Sequence, residues 1–159
     1  RLAYELLSSW RMPPGLENGV IDAGRLDAWL DEARRRLAEN NRTVTGDQLI
    51  GQMLSGSPPG SDGAWPAEPV REVIERLKSN DLESGLHVGR LNQRGMVSRN
   101  PLSGGDMERS TKAQYEADAG KLAARWPRTA AFLRSFAAFY ERDAAREDID
   151  AELRHDLDI

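Results

Sequence analysis

The chain contains no cysteine, which removes disulfides, thiolate metal sites and cysteine nucleophiles from consideration. Histidine is nearly absent too. With only His87 and His155, imidazole zinc sites and histidine-dependent triads have almost no material to draw on. Apolar runs are short, and none approaches the roughly 20 residues that span a bilayer. No stretch shows the charged start, apolar middle and small-residue end of a secretory signal. Aromatic residues make up 6% of the sequence, and no segment alternates apolar and polar residues with β-branched enrichment, so strands are not expected.

What is present is charge and helical periodicity. Charged residues reach 30% against 39% hydrophobic, a balance that suits amphipathic helices with fully polar outer faces. Leu2, Leu6, Leu7 and Trp10 outline a first helix, stopped at Pro13-Pro14-Gly15. Leu26, Trp29, Leu30, Ala33 and Leu37 then form one continuous stripe, with Asp22 as N-cap and Asn40-Asn41 as a left-handed stop. Leu49, Ile50, Met53 and Leu54 mark a third helix, and Val70, Val73, Ile74 and Leu77 a fourth, with Pro66 expected at its first position. A fifth carries Leu82, Leu86 and Leu91 behind a cap at Asp81. The sixth runs from Asp106 to Trp126 through Tyr115, Ala119 and Leu122, and the last starts at Pro127 and carries Leu133, Phe136, Ala137, Tyr140 and Ala144. The reading is an all-α fold, an irregular bundle of about seven helices with Gly/Pro-rich loops and no β-sheet. One helical domain over residues 1–159 is expected, with flexible loops near 11–21, 55–65 and 95–105. A start at Arg1, inside a helical pattern, suggests a fragment of a larger soluble, cytoplasmic polypeptide.

The most distinctive stretch runs from Leu82 to Arg109. Between Ser84 and Gly105 it holds no carboxylate, yet carries Arg90, Arg94 and Arg99 among five glycines. Arg90 and Arg94 share a helical face, Arg99 follows in a loop, and Arg109 lies in the first turn of the next helix. Converging guanidiniums of this kind hold a phosphate or carboxylate in bidentate fashion. The competing expectation is that these four arginines form internal salt bridges, because Asp106 and Glu108 stand in the same first turn. Gly85 and Gly89, four apart in a helix where each costs up to ~1 kcal/mol against alanine, point to close approach of a neighbouring helix, expected to be an aromatic-rich one. Neither belongs to a phosphate-binding loop, since no GxxxxGK[ST] or strand-linked GxGxxG occurs.

The C-terminal stretch from Glu141 to Asp158 holds eight carboxylates and three arginines, a net of −5. Ala144, Ile149, Leu153 and Leu157 make it an amphipathic helix projecting outward, and its acidity could complement the basic 84–109 segment. Arg34-Arg35-Arg36 spread around a helix beside Asp27, Asp31, Glu32 and Glu39, a pattern for i,i+4 pairing and not for a nucleic-acid patch.

These features favour an interaction or scaffold domain of a larger soluble protein, with no catalytic residue, metal ligand or cofactor assigned. Its expected partners are other domains of the parent, a separate protein, or a second copy through self-association; no membrane partner is expected. A polyanion or nucleic-acid module using Arg90, Arg94, Arg99 and Arg109 is the alternative, although a pI near 5.3 disfavours a nucleic-acid footprint. An enzyme placing His87, Asn92, Asp106 or Glu108 around an anionic substrate ranks last.

Overall fold

The computed structural model describes residues 12–93 and 105–157, with side chains through Leu153. The protein is all-α, with six helices among the described residues. The expected first helix, Leu2 to Trp10, and the loop around 95–105 lie almost wholly outside them. Contacts group the chain into two compact units that divide between Gly95 and Met96, and each is described by itself. None of the described helices is long and apolar enough to cross a membrane.

The first unit begins with a correction to the expected absence of β-structure. Leu16–Glu17 (β1) and Val20–Ile21 (β2) form a small antiparallel hairpin, pairing Leu16 with Ile21 and Glu17 with Val20. Its turn is Asn18-Gly19, both at positive φ (51° and 79°), as a tight two-residue hairpin turn demands. Helix α1 (Ala23–Glu39) follows at once. Asp22 caps it by accepting the Arg25 N–H at 2.8 Å, and Asn41 leaves it in the left-handed conformation. Leu26 and Leu30 carry its buried stripe, while Arg35 and Arg36 pair with Glu32 on the outer face. Arg34 instead reaches helix α2 (Thr43–Leu54), where its guanidinium makes a two-point contact with buried Asp47.

Helix α3 (Glu68–Leu77) starts two residues later than the Pro66 pattern predicts, because Pro69 holds the proline place in its first turn; Trp65-Pro66 is a cis peptide. Helix α4 (Asn80–Gln93) is capped by Ser79 and not Asp81. The Ser79 hydroxyl accepts the Leu82 N–H and donates to Asp47. Ile50, Met53, Leu54, Val70, Val73, Ile74, Leu82 and Leu86 complete the core.

Helices α2 and α4 meet backbone to backbone. A Cβ on Gly85 would strike the Gln48 carbonyl, and one on Gly51 would lie 2.7 Å from the Leu86 nitrogen. One on Gly89 would lie 2.8 Å from the Gln52 carbonyl oxygen. The neighbour that Gly85 and Gly89 approach is therefore a helix without aromatic residues that brings a glycine of its own.

In the second unit, helix α5 (Asp106–Leu122) lies antiparallel to α6 (Pro127–Leu157), and Pro127 occupies the first position of α6 as the sequence predicts. The pairing descends from Arg109 with Asp148, through Lys112 with Glu141, to Tyr115 with Phe136 and Tyr140. Tyr115 meets Phe136 edge-on at 4.7 Å and stacks on Tyr140 at 5.8 Å, so aromatic rings knit the seam.

Two glycines in helices separate packing from propensity. Gly85→Ala gains helix propensity of at most ~1 kcal/mol but forces α2 and α4 apart; a net loss of about 2 kcal/mol is expected in urea unfolding. Gly120→Ala on exposed α5, where a Cβ meets nothing within 4 Å, should raise stability by up to about 1 kcal/mol.

Candidate functional site

Of the four arginines expected to form an anion site, Arg94 and Arg99 lie outside the described residues, and the other two are placed in different units. Arg109 stands in the first turn of α5 and is engaged by carboxylates. Its guanidinium donates to Asp148 at 2.7 and 3.3 Å and to Asp106 at 2.8 Å. Asp148 also accepts the Gly105 N–H at 2.8 Å, so one carboxylate of the acidic helix end closes the start of α5. Here the acidic C-terminal segment meets the basic one, within a single helix pair. The Arg109 hydrogen bonds, and then the Gly105 N–H, hold the Asp148 carboxyl below its ordinary range.

Arg90, near the end of α4, lies over the Trp65 ring with its guanidinium carbon 4.9 Å from the ring centroid. It donates to Gln93, which donates to Ser55, which in turn donates to the Gln52 carbonyl. This short relay ties α4 to the end of α2. The arginine braces the fold at this point. Gly85 and Gly89 belong to the α2–α4 seam.

The enzyme candidates are likewise divided. His87 and Asn92 stand on α4 in the first unit, Asp106 and Glu108 on α5 in the second. No group of three metal-ligating side chains occurs among the described residues.

A concave site lies where the sequence gives only a polar loop. Residues 55–67 are tied down by Arg71, a fully buried side chain on α3. Its guanidinium takes both oxygens of Asp62 at 2.7 Å and donates to the carbonyls of Ala64 and Pro66. Trp65 is buried beside it, its indole N–H donating to the Ser57 carbonyl at 2.9 Å, and Ser57 Oγ accepts the Ala67 N–H. Arg71 holds the Asp62 carboxyl at about 2, well below the 3.8 of an ordinary aspartate.

The loop so fixed faces the β-hairpin across a cleft of about 430 Å³. Val20 and Ile21 form one wall, Pro59, Gly60 and Ser61 another, and Ala67, Glu68 and Pro69 the third. Glu68 Oε1 accepts the Ser61 N–H at 2.9 Å and its hydroxyl at 2.6 Å. Those bonds keep the carboxyl below its usual pKa and therefore charged. Sequence reasoning missed this cleft because the hairpin that walls it was read as loop, although Asn18-Gly19 between Leu16 and Ile21 carries the signal.

A second exposed feature is the far end of α6. Gly105 packs on Ala144, so the residues past Asp148 extend beyond α5 by about 13 Å. Ile149 and Leu153 there are each 56% exposed.

No protein-family model, curated protein or solved structure matches the chain.

Two variants follow from these contacts. Arg71→Met leaves Asp62 and two carbonyls without their donor, and a loss of about 3 kcal/mol is expected in chemical unfolding. Because Asp62 titrates lower in the folded than in the unfolded chain, the pair stabilises fully above pH 3.8. That contribution fades as pH falls towards about 2, a dependence the Met variant should lack. Arg109→Gln should leave the unfolding midpoint nearly unchanged while moving the Asp148 titration upward, as followed by carboxyl-detected NMR.

Proposed function

We propose that the chain is a non-enzymatic helical interaction module of a larger protein, and that the outer face of α6 is its contact surface, pairing antiparallel with a second copy. The observation that carries this reading is the exposure of Ile149 and Leu153 on a helix end that has outrun its partner α5. Two bulky apolar side chains four residues apart, held open on a projecting helix, are an expensive surface to leave in water.

The same face names its occupant by charge. Arg142, Ala145, Arg146, Ile149, Glu152 and Leu153 are all exposed and follow one another at spacings of one and three along one side of the helix. Arginines precede Ile149 and an acidic residue follows it, with Asp156 continuing the series in sequence. Turning a second copy end for end about Ile149 sets Arg146 of each helix beside Glu152 of the other. A parallel pairing would oppose like charges. Among the described residues each copy offers two large apolar side chains on this face against the cost of association, so the contact is weak and suits domains held together by a parent assembly.

The polyanion alternative draws no support from Arg109, whose donors already face Asp106 and Asp148. Arg90 is spread over Trp65.

Sedimentation equilibrium over a hundredfold concentration range tests the proposal. The average mass should rise above the 17.7 kDa of one chain, and Ile149→Asp with Leu153→Asp should abolish the rise. Arg146→Glu should weaken association, and adding Glu152→Arg should restore it. A chain that stays monomeric throughout, or charge reversals without effect, overturns the reading.

A further inference from the structure

The cleft between the β-hairpin and the loop before α3 has walls of one character and a base of another. Val20, Ile21, Pro59, Ala67 and Pro69 are apolar, and the side-chain charge that lines the cleft is the Glu68 carboxylate. We propose that this cleft is a binding site for an alkylammonium group on an apolar stem, the lysine side chain of a partner chain. This rests on the cleft alone and is independent of any pairing through α6.

Three observations converge on that chemistry. First, Glu68 is half-buried and ionised, and its Oε1 is already filled by two donors from Ser61. Both of those donors go to Oε1, so Oε2 is the oxygen left to face a ligand. A single open oxygen suits the point charge of an ammonium. A guanidinium fork that took both oxygens would have to displace Ser61.

Second, the other charges nearby balance. Arg71 is the neighbouring cation, and both its terminal nitrogens are held by Asp62, so that pair adds little net charge and Glu68 sets the sign of the site. Gly60 shows how tightly this corner is drawn. A Cβ there would lie 2.6 Å from the Arg71 guanidinium and 2.7 Å from Glu68 Oε2, so any side chain at residue 60 would press on both groups.

Third, the apolar walls match a four-carbon stem. Lysine buries its methylenes against apolar surface while its head stays at a charged or wet end, and Val20, which lines the cleft, stands 69% exposed. A cleft of about 430 Å³ admits one such side chain and leaves room for water around the head.

The test is an NMR titration of the whole chain with Nα-acetyl-lysine methylamide. Nα-acetyl-norleucine methylamide serves as the uncharged probe and Nα-acetyl-arginine methylamide as the forked one. Saturable amide shifts confined to residues 19–21, 60–61 and 67–68 are expected with the lysine probe at millimolar concentration. The norleucine probe should bind at least fivefold more weakly, and so should the lysine probe on Glu68→Gln. Val20→Lys, which places a like charge at the mouth of an exposed turn, should remove binding without touching Glu68. Equal binding of norleucine, unchanged binding by Glu68→Gln, stronger binding of arginine than lysine, or shifts outside the cleft would each overturn the proposal.

Discussion

A single buried guanidinium organises the first unit. Arg71 lies on α3 with no exposed surface, and burying it unpaired would cost several kcal/mol, so its environment must supply acceptors. Asp62, Ala64 and Pro66 supply them, and in doing so the loop loses its freedom. Once it is held, Trp65 is set down as a platform for Arg90, and Glu68 is presented to Ser61 at the edge of the cleft. A run of serine, proline and glycine thereby acquires a defined surface through one cation that belongs to the next helix.

How much of this was legible in the sequence depends on which physical signal carried each part. Helix α1 was fully legible, because its stripe, its Asp22 cap and its left-handed exit at Asn41 are all local. Pro127 at the head of α6 was equally plain. The hairpin was legible but outweighed by the prolines around it; Asn18-Gly19 held the information. The start of α3 was displaced because two prolines stand three residues apart, and Pro69, not Pro66, takes the first turn of the helix. Arg71 itself was not legible at all. Within the pattern of α3 it reads as one more charged residue, and only the folded loop reveals that it faces inward.

The candidate anion site shows the same limit from the opposite side. Composition isolated Arg90 and Arg109 correctly as unusual cations, yet composition is silent about what faces them. Arg109 meets carboxylates contributed by its own turn and by a residue 39 positions later, and Arg90 meets an aromatic ring 25 positions earlier. Long-range partners of this kind turn these two arginines into bracing. The acidic surplus after Glu141 plays two parts along one helix: Asp148 closes the start of α5, and the helix then runs on past it to Leu157.

The seam between α2 and α4 has a mechanical consequence. Where helices meet through side chains, rotamers can reshuffle and let them slide or roll; where they meet through bare backbone, every shift of one residue swaps a glycine for a Cβ. The pair is therefore locked in register like two toothed rods. Its amides belong among those released last in hydrogen exchange, while the end of α6 that runs past α5 exchanges first. The molecule thus carries a stiff beam in one unit and a compliant tip in the other, each assigned by where a methyl group fits.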